Sequence, residues 1–147
     1  MIYQGNARYP VRRIILHCAA LNDGQFDGFT PHQVFSTIDS WHKERGFSKG
    51  FGYHGFFMPD GSFHDGRPQV MIGAHCIEAN RGSLGWLLIE SRKIDGIGLF
   101  SDFFTEAQDR SLRRKVGEFL NYGVDLVQGH NDFAPKLCPG FRVADWL

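Results

Sequence analysis

Ser83-Leu84-Gly85-Trp86-Leu87-Leu88-Ile89-Glu90 is the most continuously apolar segment of the chain. Eight residues suit a strand better than a helix, and the apolar side chains fall on both faces of the alternating pleat. A strand with one wet face would show a polar residue at every second position. This one does not, so it reads as a central strand covered on both sides. Patterns of strand and helix alternate around it, which predicts an α/β fold with one central mixed β-sheet flanked by helices.

Three further segments supply strands. Val11 to Cys18 carries Ile14-Ile15-Leu16 and ends in His17-Cys18-Ala19-Ala20. Phe51 to Met58 alternates and is aromatic-rich, and Pro59-Asp60-Gly61 turns it into Ser62 to His64. Val124 to Val127 reads as a short buried strand that leaves His130 just past its end. Two helices announce their starts. Thr30 can cap, Pro31 suits the first helical position and Gln33 completes a capping box; Val34, Ile38, Trp41 and Arg45 follow at helical spacing, with Gly46 as the stop. Thr105 and Gln108 repeat the box ahead of a stripe of Leu112, Val116, Phe119 and Leu120, with Arg110, Arg113, Arg114 and Lys115 on solvated faces. Ser91 to Phe104 reads as a loop, and a short helix from Phe141 to Leu147 closes the chain.

A chain of 147 residues is expected to form one domain, spanning 1–147, that buries roughly two-thirds of its unfolded surface. Sixteen basic and sixteen acidic residues give no net charge, so nothing calls for nucleic acid or an anionic membrane surface. No apolar run approaches the roughly 18 residues of a membrane span. Met1 to Pro10 lacks the apolar core of a signal peptide, so synthesis in the cytoplasm is the expectation. Cys18, Cys76 and Cys138 cannot all pair, and each reads as a thiol or a ligand. A monomer is expected.

Chemistry gathers in Gly129-His130-Asn131-Asp132-Phe133-Ala134-Pro135-Lys136-Leu137-Cys138-Pro139-Gly140, where a histidine, a lysine and a cysteine share one Pro- and Gly-rich loop. Imidazole and thiolate together suit Zn²⁺, but two ligands do not make a site. Read blandly, the stretch is a C-terminal turn with an incidental histidine and a free thiol. His17, at the end of the first strand, is the candidate third ligand; alternation turns Cys18 to the opposite face. Three protein ligands leave a fourth tetrahedral position open, the pattern of a catalytic rather than a structural zinc site. His75 and Cys76 stand in reserve.

Six pieces of sequence resemble the zinc-dependent type 2 N-acetylmuramoyl-L-alanine amidases, whose fold is shared with peptidoglycan recognition proteins, and in particular their small phage lysis enzymes. They are ILHCAA around His17, WHKERGF at Trp41 to Phe47, GYHGFF at Gly52 to Phe57, DGSFHDGR at Asp60 to Arg67, GAHCIEANRGSLGW at Gly73 to Trp86 and GHNDFAPKLCPGF at Gly129 to Phe141. They run in family order over nearly the whole chain. The resemblance implies one Zn²⁺ per chain, held by His17, His130 and Cys138, with Tyr53 and Lys136 as catalytic side chains and His75 on the substrate side of the cleft. It implies hydrolysis of the bond between N-acetylmuramic acid and L-alanine in peptidoglycan, by an endolysin that reaches the wall after the membrane is breached. The alternative is a peptidoglycan-binding module of the same fold that does not cut. Two stretches depart from the family pattern: Gly82, where relatives often carry a polar residue, and Gly96 to Phe104.

Overall fold

A computed structural model describes residues 1–147. Seven strands and four α-helices follow in the order β1 (Tyr3–Gln4), β2 (Tyr9–Pro10), β3 (Arg13–Cys18), α1 (Pro31–Glu44), β4 (Gly55–Phe57), β5 (Phe63–Asp65), β6 (Ser83–Leu88), α2 (Phe100–Phe103), α3 (Glu106–Leu120), β7 (Leu126–Gly129) and α4 (Val143–Trp146). A small antiparallel pair, β1 with β2, stands apart from a five-stranded sheet of order β5-β4-β6-β3-β7. That sheet is mixed: β4, β6, β3 and β7 run parallel, and β5 pairs antiparallel with β4. The strand read as central is central, and every residue of β6 is buried.

Alternation along β6 and β3 sorts the core into two halves. Leu84, Trp86 and Leu88, with Ile14, Leu16 and Cys18, face a cluster that includes Leu112 and Phe119 of α3 and Phe100 and Phe103 of α2. Leu87 faces the other way, toward Val34 and Ile38 of α1. Ile15 and His17 lie on that same second face, because they alternate with Ile14, Leu16 and Cys18. His17 is therefore a buried polar ring on the α1 side of the sheet.

The helix starts follow the local sequence. Thr30 Oγ1 accepts from the Gln33 N–H at 3.2 Å, and Gln33 Oε1 accepts from the Thr30 N–H at 2.8 Å. Thr105 and Gln108 make the same box. Gln108 does more. It has no exposed surface, and its Nε2 donates to Phe57 O at 3.2 Å and Ile89 O at 2.9 Å, stapling α3 to the ends of β4 and β6.

Several boundaries differ from the sequence reading. The strand expected over Phe51 to Met58 shrinks to Gly55–Phe57, because α1 takes the upstream amides: Asp39 Oδ1 accepts from Phe51 N–H and His42 Nδ1 from Gly52 N–H. The stretch Ser91 to Phe104, read as a loop, contains α2. Asp102 Oδ2 accepts from the Leu99 N–H at 2.7 Å, and Phe100 and Phe103 sink into the core. Leu120 is 55 % exposed and leaves the apolar stripe of α3 to Leu112, Val116 and Phe119. The last strand starts at Leu126, because the Asp125 and Leu126 amides both go to Arg12 O. The closing helix starts at Val143. No helix is long and apolar enough to cross a membrane.

Replacing Gln108 by Leu keeps the volume but leaves Ile89 O buried without this donor and opens the capping box. We expect a loss of about 2–4 kcal/mol. Urea unfolding should show a lower midpoint at unchanged slope; an unchanged midpoint would refute the staple.

Candidate metal centre and cleft

Parallel pairing of β3 with β7 sets Leu16 opposite Gly129, so His17 and His130 follow at the same edge of the sheet. His130 opens a 3₁₀ turn, His130–Asp132, and the loop beyond it folds back on itself. The Asn131 N–H donates to Cys138 O at 2.9 Å, Asn131 Nδ2 donates to Phe141 O at 3.1 Å, and the Gly129 N–H donates to Asp132 Oδ2 at 2.8 Å. Those bonds return Cys138 to the end of β3. Donor atoms of His17, His130 and Cys138 lie within 4.8 Å of one another, so these three residues can bind a metal.

His17 is 1 % exposed, and each of its ring nitrogens has a distinct neighbour. Nδ1 is 3.7 Å from Cys138 Sγ, while Nε2 is 2.9 Å from His75 Nδ1. An ion on Nδ1 leaves the proton on Nε2, which donates to His75 Nδ1. The remaining His75 proton, on Nε2, then faces Ser83 Oγ at 3.3 Å, and that hydroxyl donates to Ala79 O at 2.6 Å. Every proton in this chain has an acceptor, and one tautomer of His17 results. Space for the His75 ring comes from Gly85: a Cβ there would stand 2.4 Å from His75 Cγ. His75, expected on the substrate side of the cleft, is 8 % exposed and lies against His17.

A hydrogen bond with the Cys18 side chain, and then bonds with His130 and His17, hold the Cys138 pKa well below the usual thiol range. The Cys18 main-chain N–H also donates to Cys138 Sγ at 3.2 Å. Cys18 packs in the core on the face opposite His17, yet it meets Cys138 through its main-chain amide as well as its side chain. Tyr53 is half-buried, its ring 5.1 Å from that of His17. Burial first, and then the Cys138 sulfur, raises its phenol pKa, so the hydroxyl keeps its proton. Lys136 is exposed on the loop between His130 and Cys138, close enough for its charge to help lower His17, although burial is the main cause there.

Two features escaped the sequence reading. Glu90 is 4 % exposed and clamps the turn that follows β3, accepting from Ala19 N–H at 2.9 Å and Leu21 N–H at 3.2 Å. Its position at the end of a strand hinted at nothing, since its partners lie about 70 residues away. His54 and His42 are also buried. His54 Nδ1 accepts from the Gly85 N–H and its Nε2 donates to Met71 O, which fixes the neutral ring.

No family model matches the chain. Among curated relatives, the endolysin of Enterobacteria phage T3 is 34 % identical over 144 residues, covering 97 % of this chain and 89 % of the phage protein. The endolysin of Escherichia phage T7 matches to the same identity and coverage. Among solved structures, the N-acetylmuramoyl-L-alanine amidase LysC from Clostridium intestinale URNW superposes with a TM-score of 0.68 at 24 % identity, over 99 % of this chain and 94 % of LysC. Peptidoglycan recognition protein LE, solved with tracheal cytotoxin, a monomeric diaminopimelic acid-type peptidoglycan, gives 0.71 at 19 % identity over 90 % and 76 %. These two structures share the fold.

The packing of His75 against Gly85 makes a test. Gly85→Ala should push the ring off His17 and lower the affinity for a divalent transition ion by about 10–100-fold, the usual cost of losing such a partner. Competition with a chromophoric chelator measures it, and unchanged affinity would refute the contact. A second expectation concerns acid. Burial lowers both His42 and His54 to about 4 from 6.5. The unfolded chain therefore binds more protons than the fold between pH 6.5 and 4, and stability falls as pH drops through that window. The unfolding free energy should decline there with a slope of up to about two protons; a flat profile would contradict it.

Proposed function

We propose a specific reaction for this chain, which belongs to the phage endolysin family: hydrolysis of the amide bond between the lactyl group of N-acetylmuramic acid and the L-alanine of the peptidoglycan stem. One observation carries the reading. Two buried imidazoles, His17 and His130, and the Cys138 sulfur converge within reach of one ion, with the Tyr53 ring beside His17, on the fold that LysC shares.

The donor set fits zinc, which takes nitrogen and sulfur ligands in tetrahedral geometry and keeps one position free in catalytic sites. His17, through Nδ1, with His130 and Cys138 would hold one Zn²⁺ per chain. When bound, zinc supplies Lewis acidity, polarising a carbonyl and lowering the pKa of water toward ~7.

The remaining work falls to side chains of the cleft. Negative charge grows on the scissile carbonyl oxygen as the carbon becomes tetrahedral. The Lys136 ammonium, exposed on the loop between His130 and Cys138, would offset that charge. Tyr53 carries a phenol that stays protonated, and so can donate a hydrogen bond to the same oxygen or a proton to the departing amine. His75 acts through His17 by holding its ring in one tautomer and one orientation. A peptidoglycan-binding module that does not cut would need neither converging ligands nor a thiolate among them.

As purified, the protein should hold one zinc per chain, and Cys138→Ser should lose affinity because a hydroxyl ligates weakly where a thiolate did. Tyr53→Phe and Lys136→Ala should retain zinc and fold, and each should lose on the order of 10²–10³ in kcat on purified walls, the usual cost of one oxyanion donor. Wild-type clearing rates in either variant would remove that residue from the mechanism. Digested walls should gain free L-alanine amino termini and no reducing sugar ends. New reducing muramic ends, or stems cut beyond L-alanine, would overturn the amidase assignment.

A further inference from the structure

His130 belongs to two groups of metal-ligating side chains. The first is the centre with His17 and Cys138. In the second, donor atoms of Cys76, Glu78 and His130 also lie within 4.8 Å of one another. Nothing in the hydrolytic mechanism uses Cys76 or Glu78.

The second group is built. Cys76 is 1 % exposed and free, and its Sγ donates to Glu78 Oε2 at 3.5 Å. That separation is already what two ligands of one tetrahedral zinc require, since bonds of about 2.0–2.3 Å place ligand atoms about 3.3–3.8 Å apart. Asn80 holds the turn in shape: its Oδ1 accepts from the His75 N–H at 2.9 Å and the Cys76 N–H at 2.8 Å. The Ala79 N–H donates to Cys76 O at 2.9 Å, closing the turn across Ile77 and Glu78. Glu78 is exposed, so its side chain is free to turn toward His130. Thiolate, carboxylate and imidazole together form a zinc-type donor set.

We propose that Cys76, Glu78 and His130 form a second zinc site, occupied only when zinc is in excess, and that filling it inhibits the enzyme. The inference rests on the reading of His17, His130 and Cys138 as the catalytic centre. Inhibition follows from sharing. A second ion held by Cys76 and Glu78 and drawing on the His130 ring weakens the grip of the first on His130. The Cys76 proton leaves to solvent as the thiolate coordinates. The weaker site is the second, because it adds only two ligands of its own.

The experiment starts from protein loaded with one equivalent of metal. Zinc uptake is followed by equilibrium dialysis with elemental analysis, wall hydrolysis is followed in parallel, and cobalt(II) replaces zinc for spectroscopy. Wild-type protein should take up a second equivalent, lose hydrolysis as it does so, and gain thiolate-to-cobalt absorption on the second step. Cys76→Ser and Glu78→Gln should each bind one equivalent only, show no added thiolate absorption and keep hydrolysing in excess zinc. A wild-type protein that stops at one equivalent overturns the proposal, as does a second step that survives in both variants. A chain that binds no metal, or whose first equivalent survives Cys138→Ser intact, overturns the catalytic centre and this site with it.

Discussion

A buried imidazole must find a partner for each ring nitrogen, and the cleft is arranged by how His17 finds its own. Burying an unpaired polar group costs several kcal/mol, and at 1 % exposure His17 has no water to fall back on. His75 answers on one side and the ligand set on the other. His75 in turn needs Ser83, and it needs a strand residue with no side chain, which is Gly85. Ser83 and Gly85 both lie on β6, whose remaining residues are apolar. One strand thus builds the core with its bulky positions and the support of the site with its two small ones.

The parallel register then does the positioning. Neighbouring parallel strands end together, so β3 and β7 deliver His17 and His130 to one edge without any long-range adjustment. Cys138 arrives by a different route, through a loop held by its own backbone bonds to Asn131 and capped at the sulfur by the Cys18 amide. Two of the proposed ligands thus sit next to rigid elements and the third on a cross-braced loop. Preformed ligands reduce the ordering cost that binding must overcome.

What could be read from the sequence was local or periodic. The capping boxes at Thr30 and Thr105 involve residues three apart, and both occur as read. The central place of β6 follows from a run of apolar residues on both faces. The candidate ligand group was visible too, because histidine and cysteine in one Pro- and Gly-rich loop carry chemistry that few other residue types offer. What could not be read depends on register. The contact of His17 with His75 spans 58 positions and that of Glu90 with Ala19 spans 71. No local pattern encodes either one. The shortened β4 fails for the same reason, since α1 and not a neighbouring strand captures the amides of Phe51 and Gly52.

Glu90 shows why such distant contacts belong to the site. The chain leaves β3 immediately after Cys18 and must turn sharply, and Ala20 does so at φ 59°. A residue with a Cβ in that region costs about 1–2 kcal/mol, so the turn would relax if nothing opposed it. Glu90 accepts from the amides on both sides of Ala20, at Ala19 and Leu21. Burial raises its carboxyl pKa, and those same amide bonds pull it back toward the charged form. The carboxylate and the strained turn therefore sustain each other. The amide of Cys18, two residues before Ala20, is the one that holds the Cys138 sulfur. A buried acid just past the central strand thus reaches the loop of Cys138 through the backbone of β3, without touching any group that could hold the ion.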